Sequence, residues 1–170
     1  MPAIKTGSAK GRKGKFDNTP LPIDSDYIFE IANVAKTLSP KGKPRLSFRF
    51  KVVGGGPIVE KEDGERVPEA LGRSIFEDAY LTDDAMWKIE AIAEAAGVPE
   101  GTEFDPDDAV SLLNTFKGRK LRASVIANDY VNRDGATVEG RRVTNFASLD
   151  GKPAGSGAPS GDDGEAADPN

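Results

Sequence analysis

The chain has 170 residues, 37% of them hydrophobic and 30% charged, with a net charge of −5 at neutral pH. That suffices for one domain of ordinary size plus tails. It contains no Cys and no His, which removes disulfides, thiolate catalysis, Cys-based zinc sites, the commonest general base and the commonest metal ligand.

An enzyme built from this chain would have to work with carboxylates, Lys, Ser or Tyr. No catalytic residue, metal site or cofactor is therefore expected. No apolar run approaches the roughly 18 residues of a membrane helix. The basic start is not followed by the apolar stretch of a signal peptide. A cytoplasmic protein without membrane contact is the expectation.

Residues 1–15 (MPAIKTGSAKGRKGK) carry Lys5, Lys10, Arg12, Lys13 and Lys15 and no acid. Such an arm stays disordered alone and docks readily on a polyanion, although solubilisation is an equally good role for it. Residues 16–150 form the expected domain. Residues 27–34 (YIFEIANV) read as a strand, rich in β-branched and aromatic residues. Residues 38–44 (LSPKGKP) are a turn-rich connector. Residues 45–53 (RLSFRFKVV) are the clearest strand: Leu46, Phe48, Phe50 and Val52 share one face, and Arg45, Ser47, Arg49 and Lys51 share the other. The run Gly54-Gly55-Gly56-Pro57 ends it, and residues 58–72 read as a polar loop with room for a short excursion near Ile58-Val59. Residues 74–81 (SIFEDAYL) are a third, less well patterned strand.

The period then changes. Thr82 with Asp83 and Asp84 reads as a helix start, and Met86, Ile89, Ile92, Ala93 and Ala96 make an apolar stripe that Gly97 ends. A second helix is expected from Asp105, with Pro106 at its first position and Ala109, Leu112, Leu113 and Phe116 on its stripe. Residues 121–127 (LRASVIA) form a fourth strand, expected to extend through Tyr130 and Val131. An Asp-Gly turn follows at Asp134-Gly135, and residues 141–146 (RRVTNF) return as a fifth strand. Residues 151–170 (GKPAGSGAPSGDDGEAADPN) lack any large apolar residue and read as a flexible acidic tail, with Asp162, Asp163, Glu165 and Asp168 against Lys152. Five strands with two helices between the third and fourth give the expected class: a mainly β, OB-fold-like barrel. A generic α+β sheet capped by helices is the alternative.

A pI near 4.9 argues against a simple DNA binder. The charges, however, are segregated. Residues 31–59 hold no acid but contain Lys36, Lys41, Lys43, Arg45, Arg49 and Lys51; residues 77–108 hold eleven acids and one base, Lys88; Lys117, Arg119, Lys120 and Arg122 then follow, with Arg133, Arg141 and Arg142 further on. Basic strands and acidic helices can give a fold one face that attracts phosphates whatever its net charge. An ordinary solvated surface has the same composition. Single-strand binding also needs exposed rings. Of Tyr27, Phe29, Phe48, Phe50, Phe76, Tyr80, Tyr130 and Phe146, most read as core. Tyr130, beside a turn and near Arg133, is the better platform.

The stretches YIFEIANVAKTLSPKGKPRLSFRFKVVGG, GRSIFEDAYL, IEAIAEAAGV, FKGRKLRASVIANDYVNRDG and RRVTNF together resemble a family of small phage proteins. These come from the replication and recombination region and are described as single-stranded DNA-binding proteins or as domains of unknown function. The most specific element is the strand from Gly118 to Val125, followed by a tyrosine and a hairpin turn. The resemblance spans residues 26–148. It implies an OB-like barrel, coating of single-stranded DNA, a tail that contacts phage replication or recombination proteins, and a location in the cytoplasm of an infected bacterial host. The chain ends Asp168-Pro169-Asn170 and lacks the terminal Phe with which bacterial single-strand binders dock partners.

The leading expectation is thus a non-enzymatic, sequence-tolerant single-stranded DNA binder, with self-association left open. Its expected nucleic-acid contacts are Lys36, Lys41, Lys43, Arg45, Arg49, Lys51, Arg119, Arg122, Tyr130 and Arg133, rimmed by loops 38–44 and 132–140. Two other classes compete. One is a protein-interaction or regulatory module using the acidic helical face. The other is a carboxylate–metal nuclease using Glu30, Glu77, Asp78 or Asp129, whose spacing does not require them to meet.

Overall fold

A computed structural model describes residues 20–154. The basic arm expected over residues 1–15, and the acids of the tail, lie outside the described residues. The strands are β1 (Ser25–Leu38), β2 (Pro44–Gly55), β3 (Ile58–Glu60), β4 (Arg66–Pro68), β5 (Ser74–Tyr80), β6 (Lys120–Ala127), β7 (Tyr130–Val131), β8 (Thr137–Val138) and β9 (Arg141–Ala147); helices α1 (Met86–Ala95) and α2 (Ala109–Phe116) fall between β5 and β6.

The protein is mainly β, with two α-helices and one five-stranded antiparallel sheet in the order β5-β2-β1-β6-β9. In β2 the alternation read from sequence sets the phase: Leu46, Phe48, Phe50 and Val52 are fully buried, while Arg49 and Lys51 are exposed. Strand β1 first turns Tyr27, Phe29 and Ile31 inward. Its register then slips between Ile31 and Asn33, and Val34 takes the next inward place. A one-residue slip of this kind exchanges the faces of everything downstream.

β1, β2 and β5 run in sequence across the sheet, and β6 returns after the helices to lie on the free side of β1. That order is a Greek key. The expected closed barrel is not formed. β5 and β9 are the two ends of the sheet and make no strand ladder with each other. Instead the carboxylate of Glu77 on β5 accepts the backbone N–H of Val143 on β9 at 2.9 Å.

The inward faces and the helices make one core. Phe48 meets Phe116 of α2 edge-on at 5.2 Å between ring centres, Phe50 lies 5.6 Å from Phe29 and 6.2 Å from Phe146, and Ile89 and Ile92 of α1 are buried in the same cluster. Each such side chain contributes about 1.5–3 kcal/mol through burial. Gly56 is needed where β2 leaves the sheet: its φ is +76°, and a Cβ there would lie 2.4 Å from the Tyr27 ring. Burial pushes the Tyr27 phenol above its usual range, so the hydroxyl keeps its proton and donates to the Pro22 carbonyl at 2.9 Å.

Several boundaries differ from the sequence-based ones. Within the segment expected as a polar loop, β3 and β4 form a hairpin. Thr82 precedes a 3-10 turn (Asp83–Ala85) and makes no side-chain cap, so the α-helix starts at Met86. The second helix starts at Ala109 rather than Asp105, because Asp108 caps it by accepting the Val110 N–H at 3.0 Å. The fourth strand ends at Ala127. Tyr130–Val131 pairs instead with Thr137–Val138, around a turn in which the Asn132 side chain accepts the N–H groups of Asp134 and Ala136. Residues 151–154, assigned by composition to the tail, turn back on β9: Pro153 bridges to Ala147, and Ala154 N–H donates to Phe146 at 3.0 Å.

Candidate nucleic-acid interface

The outward face of β2 and β5 is assembled by their register. Arg45 lies opposite Tyr80, Ser47 opposite Asp78, Arg49 opposite Phe76 and Lys51 opposite Ser74. These side chains alternate with buried or half-buried neighbours and so point away from the core. β1 adds a third column, with Thr37 beside Arg45, Ala35 beside Ser47, Asn33 beside Arg49 and Glu30 beside Lys51.

Phe76 is 63% exposed. A lone exposed apolar residue is ordinary on a protein surface. This one stands directly across from a cation and four residues from Tyr80, on the same side of β5. Arg49 donates from Nε to Ser74 Oγ at 3.3 Å, which draws its guanidinium toward that end of β5. Arg45 is held more firmly, donating to Thr37 Oγ1 at 3.1 Å and pairing with Asp78 at 3.2 Å. The pair is partly open to solvent, where ion pairs are worth about 1 kcal/mol, so a phosphate can compete for Arg45.

The ten expected contact residues fall into four groups. Arg45, Arg49 and Lys51 share the outward face. Lys41 and Lys43 are exposed on the turn at one end of it, a turn held by the buried Ser39, whose hydroxyl accepts the Lys43 N–H at 3.0 Å. Tyr130 and Arg133 are exposed on the β7–β8 hairpin. Because Ser25 pairs with Val125 and Tyr27 with Gly55, that hairpin lies at the other end of β2.

The remaining three are not on this face. Lys36 is turned toward the helices by the register slip in β1 and pairs with Asp107. Arg119 donates to the carbonyls of Thr115 at 2.6 Å and Gly97 at 3.1 Å, satisfying groups at the helix ends. Arg122 faces outward on β6, separated from β2 by Ile28 of β1; it donates to Leu149 O at 2.8 Å beside a polar cleft of about 600 Å³ that Asp26 and Asp150 also line.

The carboxylates weighed for metal chemistry are spent on separate partners. Glu77 is buried with Lys88, Asp78 pairs with Arg45, Glu30 stands opposite Lys51, and Asp129 accepts the Gly140 N–H at 3.3 Å. Among the described residues no group of three or more acids could hold a metal ion. No described helix is long and apolar enough to cross a membrane.

Phe76, one of the candidate rings, was not singled out by the sequence, which favoured Tyr130. The usable signal was the break in alternation in SIFEDAYL, where Ile75 and Phe76 are both apolar and only one can face the core. Comparison with protein-family models and with curated proteins finds no match for this chain.

Proposed function

We propose that the protein is a sequence-tolerant single-stranded DNA-binding protein with an OB-like fold, acting in phage DNA replication or recombination. The strand order supports the fold, being a Greek key of five strands with one open seam. In OB folds the ligand lies across strands 2 and 3, between the loop joining strands 1 and 2 and the loop joining strands 4 and 5. The equivalents here are β2 and β5, the turn carrying Lys41 and Lys43, and the β6–β9 connection carrying Tyr130 and Arg133.

The observation that carries the proposal is Phe76, exposed across from Arg49, with Lys51 diagonal to it and Arg45 two outward positions further along β2. A ring beside Arg49 and Lys51 offers a base a stacking surface and its phosphates counter-charges. Neither element reads sequence. The resemblance to phage single-strand binders points the same way. Accordingly Phe76 and Tyr80 join Arg45, Arg49, Lys51, Lys41, Lys43, Tyr130 and Arg133 as the contact set.

Fluorescence anisotropy with labelled oligo-dT tests the proposal. The expected result is binding at low salt that weakens as log K falls linearly with log salt, with duplex of equal length bound less well. No binding at 50 mM salt or below sinks it, and would leave the exposed acids of the helical layer as the surface to probe with protein partners.

A further inference from the structure

Glu77 is the only buried charged residue among the described residues. One of its oxygens accepts the Val143 N–H at 2.9 Å; the other takes the ammonium of Lys88 from α1 and lies 3.5 Å from the guanidinium of Arg142 on β9. Lys88 also donates to the carbonyl of Asp78 at 2.8 Å, so α1 is fastened to β5 at two successive residues. A buried carboxylate is tolerable only when charges and donors surround it. This one has two cations and a backbone donor. It sits where β5 and β9 would otherwise need a strand ladder to close the sheet.

Glu77 also stands between Phe76 and Asp78. Alternation sends its side chain inward and theirs outward. We infer that Glu77 is a positioning residue for the nucleic-acid face: by fixing β5 to β9 from inside, through the Val143 N–H, it sets where Phe76 and the Asp78–Arg45 pair stand outside. This rests on the single-strand binding proposed above. Glu77 touches no ligand itself.

Removing Glu77 alone leaves the half-buried Lys88 without its counter-charge, so the test uses two double variants of the full chain that both remove the ion pair. E77Q/K88M keeps an acceptor for the Val143 N–H. E77L/K88M does not. Circular dichroism selects a temperature at which both are folded. Amide exchange at Val143 reports the seam, and oligo-dT titration reports the face.

The expected outcome is near wild-type protection and affinity for E77Q/K88M. For E77L/K88M, exchange at Val143 should be faster and affinity lower by roughly tenfold each. The salt slope should be unchanged, because no phosphate-facing cation has been removed. Equal affinity of the two folded variants overturns the positioning role, as does equal Val143 exchange. Should E77L/K88M fail to fold, E77M/K88M replaces it, and the same equalities overturn the inference. Failure of the wild-type chain to bind oligo-dT is a separate outcome that removes the nucleic-acid role itself.

Discussion

The outward face of β2–β5 and the helical layer are two sides of one sheet, and they carry opposite charge. Arg45, Arg49 and Lys51 stand on one side with Phe76. On the other, Asp83, Asp84, Glu90, Glu100, Glu103, Asp105 and Asp108 are all exposed on or around α1 and α2. A helix is about 10–12 Å across, more than the roughly 8 Å over which physiological salt screens a charge. A phosphate at Arg49 therefore senses the nearby cations and little of the acids behind the helices. The net charge of −5 is a poor guide to what this face attracts.

The strongest way to break the contrast is to remove what joins the two sides. Phe50 lies between Arg49 and Lys51 and packs against Phe29, Phe48 and Phe146. Phe50→Ala should cost about 3–5 kcal/mol, seen as a lower denaturation midpoint at unchanged m-value. Oligonucleotide binding should disappear with the fold. A well-folded F50A that binds as the parent does would show the face to be independent of its core.

Next in size is a direct exchange of the two surfaces. R45A/R49A/K51A removes three cations from the outward face. It should weaken oligo-dT binding by on the order of a hundredfold at low salt and flatten the salt slope by about 2, at roughly 0.7 per lost single-strand phosphate contact. Stability should change little, since among the described residues the only ion pair lost is the partly exposed Arg45–Asp78 contact. The matching variant E90Q/E100Q/E103Q, on the helical side, should keep affinity within about twofold. Equal losses from the two triples would mean that overall charge governs binding.

How much of this was legible in the sequence depends on strand phase. β2 announces itself because apolar and basic residues alternate without a break. β5 hides its phase. A charged residue is normally assigned to solvent, which would put Glu77 outward and Phe76 in the core. The reverse holds because Lys88, Arg142 and the Val143 N–H give Glu77 a paired, buried place. Lys36 misleads for another reason: the slip between Ile31 and Asn33 flips the end of β1, and no local residue preference marks that bulge. Arg119 was read by its charge, whereas its work is to cap carbonyls left by helices whose ends meet only in the fold. Residues that act through their own strand's alternation were readable, and those whose role depends on a distant partner were not.

A smaller effect separates stacking from charge on the same face. Phe76→Ala should leave stability within about 0.5 kcal/mol, because the ring is exposed. It should nonetheless weaken oligo-dT binding by about 1–3 kcal/mol, the usual worth of one base stacked on a ring. The salt slope should match that of the parent chain. F76W should retain affinity and report binding by quenching of its fluorescence. Unchanged affinity in F76A would reduce the face to a purely electrostatic one.

The smallest expected effect concerns the tail, and the fold decides where to cut it. Asp162, Asp163, Glu165 and Asp168 are anions that can compete with phosphates for the cations of the outward face. Deleting residues 155–170 should therefore tighten oligo-dT binding by about two- to threefold at low salt, with the gain vanishing near 0.5 M salt, where the screening length is only a few ångströms. A cut at residue 151 would blur this result. Pro153 and Ala154 pair with the end of β9, and Ala154 packs against the core. Their loss would loosen the edge of the sheet as well as remove charge. With the cut at 155, unchanged melting temperature and unchanged low-salt affinity together would show that the tail acids do not reach the β2–β5 face.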